Sequence, residues 1–355
     1  MMGFLSQAGS ILLGILLLGV LVAVHEFGHF MAARLTGIEV QEFAIGMGPK
    51  IFGWTGKKSG TKFSLRWVPF GGFCAFYGED DAEGKTKDDP RAYNKQAVWK
   101  RMITVAMGPV MNFILAFVVL TGYCWYVGDV QVEPFLSAVE ESGPAYAAGI
   151  RTEDLITEVN GVNMLDGTQT TLLNAIDGDQ PLTLTIRRGE ETFETTATPF
   201  WDEELQKYRI GVTINGRITG KEPIGLGTAV QRGWDECIGY STAILDALKG
   251  IITKGEGIED TGGPVAVVTM VSQTVNDYGL DGFITLLGFI SVNLGIMNLL
   301  PIPGLDGSRL VFHAIEGVRG KPVKQEVEAT IHLVGMLILF ALIILMTVRD
   351  VWRLF

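Results

Sequence analysis

His25-Glu26-Phe27-Gly28-His29 closes a run, residues 11–24, that carries no charged side chain. On a helix, residues four apart lie one above the other on the same face. His25 and His29 can then grip one metal ion while Glu26 stays beside them. Two imidazoles with a neighbouring glutamate are the donors and the base of zinc-dependent hydrolysis, in which the metal acidifies a water and the carboxylate takes its proton. The surroundings of the motif decide the fold. Ionisable groups at membrane depth are costly and mark function, and here they follow the apolar run without a polar linker.

Working outward, a chain of 355 residues has room for two or three compact units. A mean hydropathy of +0.30 with 19% charged residues is too apolar for a soluble protein of this size, and implies a membrane protein carrying a soluble portion. The net charge of −11, without any basic cluster, excludes a nucleic-acid partner. Cys74, Cys124 and Cys237 are too scattered for a disulfide framework or a zinc ribbon and read as small apolar filler. Residues 1–24 lack a basic start and a small-residue cleavage site, so they are expected to stay as a membrane helix.

Four stretches are apolar over a bilayer's thickness: residues 11–33, 105–127, 283–300 and 331–348. Basic residues gather between the first two (Arg34, Lys50, Lys57, Lys58, Lys62, Arg66 and others) and after the third (Arg309, Arg319, Lys321, Lys324). The segment between the second and third is acid-rich. Positive-inside asymmetry therefore puts the basic segments in the cytoplasm, the acidic one outside, and the His-Glu-x-x-His near the cytoplasmic end of its helix. The expected organisation is a first span with the motif (1–36), a cytoplasmic segment (37–104), a second span (105–127) and an external β-rich domain (128–200). An extension with an amphipathic helix at the outer membrane surface (201–280), a third span (281–300), a short segment and cytoplasmic loop (301–330) and a last span (331–355) follow.

Within 37–104, alternation of Phe63, Leu65 and Trp67 with Ser64 and Arg66, then Pro69 and Gly71-Gly72, predicts an aromatic hairpin over about 62–77. Such a hairpin could dip into the bilayer if protein or a water-filled cavity covers its backbone, or pack on the membrane interface. The external domain is predicted to carry strands at 155–159, 182–186 and 192–197, with turns at Asn160-Gly161, Asp177-Gly178 and Arg188-Gly189, and a short helix at 170–176. Residues 199–220 read as an extension or linker.

A catalytic zinc needs a third protein ligand and an open position. The best candidate is in Asn298-Leu299-Leu300-Pro301-Ile302-Pro303-Gly304-Leu305-Asp306-Gly307, where prolines break the third span at the level of His29. Asp306 is either a ligand or a helix cap; Asn298 either binds a substrate carbonyl or bridges helices. His313 and His332 read as structural.

These two stretches together resemble the site-2 protease family of intramembrane zinc metalloproteases, and more closely its bacterial RseP/RasP-like branch with a single PDZ domain. The likeness extends to Asp89-Pro90-Arg91-Ala92-Tyr93, Val98-Trp99-Lys100-Arg101, Gly108-Pro109 with Asn112-Phe113, Gly262-Gly263-Pro264 and Ser291-Val292-Asn293-Leu294-Gly295. Ser142-Gly143-Pro144-Ala145, Asp154-Leu155-Ile156 and Val159-Asn160-Gly161 resemble a PDZ domain. Ser308 stands where a second glycine is common, and Met107 where alanine is usual. The resemblance implies an α-helical polytopic membrane protein with four transmembrane helices, a membrane-re-entrant β-hairpin and an inserted extracytoplasmic α/β PDZ-like domain. It implies Zn²⁺ held by His25, His29 and Asp306, with Glu26 as general base. It also implies a substrate strand added at Phe70, Gly71, Gly72 and Phe73, with Asn298 assisting. Implied substrates are single-span membrane proteins already cut by a first protease, such as anti-sigma factors or remnant signal peptides, in the bacterial inner membrane. A peptide or C-terminus would bind the PDZ-like domain. The rival reading is a catalytically silent, membrane-tethered PDZ scaffold with a structural metal site.

Overall fold

The structure, a computed structural model of the chain, describes residues 2–79, 86, 89–164, 172, 175–203, 207–255 and 262–352. Four of its helices are long and apolar enough to cross a membrane: α1 (Met2–Thr36), α2 (Val98–Val127), α5 (Pro264–Leu299) and α7 (Gln325–Trp352). Between them lie α3 (Pro144–Ala147), α4 (Leu226–Lys254) and α6 (Asp306–Arg319). The chain divides into two units, Met1–Cys124 with Leu226–Phe355, and Trp125–Gly225.

In the first unit α1 packs on α5 through Leu17, Leu21, Val271 and Leu286. Helices α2 and α5 meet over Ala116, Leu120, Val292 and Ile296. In a bilayer, apolar side chains gain little by leaving lipid for one another, so close packing at small residues and interhelical hydrogen bonds hold the helices together. Gly288 and Gly295 supply it: a Cβ there would lie 2.7 Å from Leu120 and 2.8 Å from Phe113. Ser291 Oγ donates to the Asn112 carbonyl at 2.7 Å in the same seam. Helix α4 presses Cys237 and Ile244 into this cluster.

Two boundaries differ from expectation. Helix α5 begins at Pro264, well before residue 281, because Ser272, Gln273, Asn276 and Asp277 dilute the hydropathy of its first half. It is broken at Gly279 (φ 62°, ψ −140°). Its N-terminus is capped from the far end of α7, where Asp350 Oδ2 accepts the Gly263 and Ala266 N–H groups at 2.9 and 3.0 Å. That contact accounts for Gly262-Gly263-Pro264: a Cβ on Gly263 would lie 2.8 Å from Asp350 Oδ2, and Pro264 starts the helix without needing a donor.

The second difference concerns the aromatic stretch. Residues 62–77 do not fold back on themselves. They form one long strand, β2 (Lys62–Phe76), antiparallel to β1 (Val40–Thr55). Both strands bend, so residues 42–45 are paired on two sides, Phe43 with Cys74 and with Phe63 and Ala44 with Phe73 and with Ser64. Residues 50–55 return along 62–66. The expected turn residues bend β2 instead: Gly71 has φ +90° and Pro69 cannot donate to a ladder. The interior is aromatic, with Phe30 of α1 edge-on to Phe43 and Phe63. Arg66 bonds Glu42 at 2.7 Å and sits over the Phe73 ring.

The second unit holds β3 (Asp129–Val139), β4 (Leu155–Val159), β5 (Val162–Asn163), β6 (Leu182–Arg188), β7 (Glu191–Ala197), β8 (Phe200–Asp202), β9 (Lys207–Arg209) and β10 (Val212–Glu222). The sheet order is β10-β3-β4-β6-β7, with β5 on β4 and β8-β9 as a separate ribbon. The strands expected near 155, 182 and 192 are β4, β6 and β7. Residues 199–220 are not a linker: β10 lies along β3 for the whole length of that strand. Leu136, Ile150, Ile156, Leu184 and Ile186 make the core. Asp154, 1% exposed, accepts the Arg151 N–H and both arms of Arg188. The helix expected at 170–176 falls largely outside the described residues, which there include Leu172, buried in this core.

Candidate active site

Helix α1 continues through His25 and His29 without interruption, so both imidazoles leave one face. Their Nε2 atoms are 3.2 Å apart with the rings at 87°. Asp306 Oδ2 lies 3.0 Å from His25 Nε2 and 3.2 Å from His29 Nε2. Among the described residues these three form the convergent group of potential metal donors. Tetrahedral zinc with bonds of about 2.0–2.1 Å has ligand–ligand edges of roughly 3.3–3.4 Å, so the trio needs to open by only a few tenths of an ångström. Asp306 Oδ2 is buried and faces the two imidazole Nε2 atoms, which suits a carboxylate oxygen sharing a cation with them. The residues fit a zinc ion.

Each donor is placed by glycine. The α1–α2 crossing is close because of Gly28, where a Cβ would lie 2.2 Å from the Met107 carbonyl oxygen. On the facing helix, a Cβ at Gly108 would come within 2.3 Å of the His29 ring and 3.0 Å of His25 Cε1. His29 Nδ1–H donates to the Thr104 carbonyl at 2.9 Å, leaving its Nε2 lone pair for the trio. Asp306 is the first residue of α6, where a carboxylate is favoured by the helix dipole. The turn before it is tight: Gly304 has φ +98° and donates its N–H to His332 Nδ1. Gly307 has no room for a Cβ beneath the Leu299 and Leu300 carbonyls. Ser308 is buried and donates to the Leu305 carbonyl at 2.8 Å, so a hydroxyl suits the position.

A cavity of about 420 Å³ opens onto the trio. Glu26, Gly72, Phe73 and Asn298 line it. Strand β2 passes directly beside the helix, since a Cβ on Gly72 would lie 3.0 Å from Glu26 Cγ. Residues 72–76 pair with β1. Gly71 lies on the same strand against Met47, and the Phe70 side chain is outside the described residues. Asn298 spends one Nδ2 hydrogen on the Leu294 carbonyl. Sequence reasoning missed Cys74, Glu79 and Arg309 on the cavity wall, the last two ion-paired at 2.6 Å. Arg309 stands one turn beyond Asp306 on α6, a spacing that could have flagged it.

Electrostatics hold α6 in place. Farther along α6, His313 Nε2 accepts the Tyr93 hydroxyl at 3.0 Å, and Glu316 pairs with Arg101 at 2.6 Å. Tyr93 stacks on Phe76 at the end of β2. Burial, with Arg101 adding to it, pushes the His313 imidazole down to about 4. His313 and His332 thus hold helix and turn, and neither belongs to the donor trio.

Known proteins resemble the chain over nearly its whole length. The profile of Peptidase family M50 matches residues 13–342. The regulator of sigma-W protease RasP of Bacillus subtilis is 31% identical, with 96% of this chain and 98% of that protein covered. The zinc metalloprotease RasP of Bacillus licheniformis is 30% identical over the same shares of each chain. A Clostridium acetobutylicum protein named as a zinc metalloprotease is 31% identical, covering 96% and 97%. The chain belongs to Peptidase family M50, the site-2 proteases, and is an intramembrane zinc endopeptidase of a multi-pass membrane protein class.

Proposed function

We propose that His25, His29 and Asp306 hold the zinc, that Glu26 is the general base, and that the substrate enters as a strand beside residues 70–73 of β2. The observation that carries this reading is the meeting of three donor atoms within 3.2 Å where the start of α6 reaches the apolar helix α1, beside a cavity that Glu26 lines. Bound zinc supplies Lewis acidity, bringing a water within reach of deprotonation near neutral pH and polarising the scissile carbonyl. Glu26 takes that water's proton and returns it to the leaving amine. A transmembrane helix hides its carbonyls in its own ladder, so it has to be unwound before attack. The 72–76 segment beside Glu26 offers strand pairing in exchange. Asn298 retains a second Nδ2 hydrogen for the carbonyl oxygen.

Substrates are single-span membrane proteins already shortened by a first protease, with anti-sigma factors and remnant signal peptides the favoured classes. The name of the Bacillus subtilis relative supports the first of these. The basic residues of 34–101 and 309–324 support a cytoplasmic site, with β1 and β2 re-entering the bilayer and the 125–225 unit outside. That unit, PDZ-like in its motifs, acts as a filter that admits trimmed ectodomains and takes a peptide or C-terminus. Glu26→Gln tests the mechanism: zinc content is expected to remain at the wild-type level while cleavage of a transmembrane reporter falls by at least about 10³-fold. Proteolysis surviving in the purified variant would sink the assignment of Glu26.

A further inference from the structure

Each imidazole of the trio turns its other nitrogen towards α2, and the two partners differ in kind. His29 Nδ1 meets a carbonyl, Thr104, which can only accept. His25 Nδ1 meets the side-chain amide of Asn112, with Nδ2 at 3.1 Å. In that orientation the amide donates, His25 carries its proton on Nε2, and that proton points to Asp306 Oδ2 at 3.0 Å, where a ligand lone pair is needed. The same orientation leaves Asn112 Oδ1 buried without a partner among the described residues. Half a turn of the amide brings Oδ1 to His25 Nδ1 and removes the first fault, with Nδ2 taking the oxygen's former place; it needs no space, because the two ends are alike in size.

We propose that Asn112 is a positioning residue for the metal centre: its Oδ1 accepts the Nδ1–H of His25 and so holds His25 in the tautomer whose Nε2 lone pair faces His29 and Asp306. The site is built for this. Asn112 is fully buried on α2, one turn beyond Gly108, which accommodates both imidazoles. Its backbone carbonyl is held by Ser291 Oγ of α5 at 2.7 Å, so the side chain is aimed by two neighbouring helices. A ligand imidazole whose second nitrogen is bonded to an oxygen acceptor is fixed in tautomer and ring angle and is a stronger base towards the metal. Thr104 and Asn112 would then do the same work for the two histidines, one by main chain and one by side chain.

The inference rests on the proposed metal centre, and the experiment separates the two. Full-length protein in detergent is titrated with zinc against a chromogenic chelator, as wild type, His25→Ala, Asn112→Leu and Asn112→Asp. Asn112→Leu keeps the side-chain volume without an acceptor and is expected to weaken zinc binding about 10–100-fold. Asn112→Asp keeps the acceptor and is expected to stay within about threefold of wild type. As a readout independent of folding in the variants, ¹⁵N spectra of the zinc-loaded wild type are expected to show His25 protonated at Nδ1. Wild type that binds no zinc, or His25→Ala that binds it as well as wild type, overturns the metal centre and the inference together. A sound wild-type site with Asn112→Leu unchanged, Asn112→Asp as weak as Asn112→Leu, or His25 Nδ1 without its proton, overturns the role of Asn112 alone.

Discussion

Replacing Gly108 by alanine adds one methyl group to α2 at the point where the helix faces the imidazoles. That methyl would stand 2.3 Å from His29 Cε1 and Nε2 and 3.0 Å from His25 Cε1. Ordinary contact is about 3.4 Å or more, so the His29 ring has to retreat by roughly 1 Å. It cannot do so cheaply, because its Nδ1–H is tied to the Thr104 carbonyl on the same helix. Metal sites tolerate ligand errors of about 0.2 Å. A displacement several times larger is expected to lower zinc affinity and cleavage by at least about 100-fold, close to 2.7 kcal/mol. Gly122→Ala, in the same helix with nothing within 4 Å of its new Cβ, serves as the control and should keep both properties. Chelator competition in detergent and cleavage of a transmembrane reporter measure the two quantities. Zinc binding by Gly108→Ala within about threefold of wild type would refute the reasoning, since the ring would then have moved without loss of coordination.

Asp350→Ala leaves the Gly263 and Ala266 N–H groups without the acceptor that caps α5, and should cost about 1–3 kcal/mol, read as a lower thermal midpoint in detergent. Asp350→Asn, which keeps one oxygen, should fall between the two. His313, held near 4 by burial against 6.5 when unfolded, favours the neutral form in the fold. Its contribution is therefore complete above pH 6.5 and is lost as the pH falls through 4, at most about 3 kcal/mol. The thermal midpoint should drop more between pH 7.5 and 4.5 in wild type than in His313→Gln; equal drops would contradict this.

The motif and the four spans were legible because their signals are local: imidazoles four apart, and apolar runs of bilayer length. Asp306 was legible as a candidate because prolines stop α5 just before it. What sequence reasoning missed depends on distant partners. Strand β1 has a ladder on both sides, which no alternation within Val40–Thr55 announces. Strand β10 looked like a linker because its Gly216 and Gly220 interrupt the pattern, yet its pairing with β3 completes the sheet. The first half of α5 is too polar to read as a span, but Asp350 caps it and Val271 packs on α1. Gly108 and Asn112 sit in a helix that reads as uniformly apolar, and their meaning appears only when His25 and His29 stand against them.

The placement of Asp306 as the opening residue of α6 has a consequence for how the enzyme is born. His25 and His29 leave the ribosome before Asp306, and the third donor of the proposed zinc site follows only after α2, the 125–225 unit and α5. Until α6 docks through Tyr93–His313 and Arg101–Glu316, the early helices carry an incomplete donor set. A chain that ends before Asp306 is then expected to leave uncut the membrane segments around it. With the proposed ligands, competence waits for the start of α6 to reach the His25–His29 face of α1.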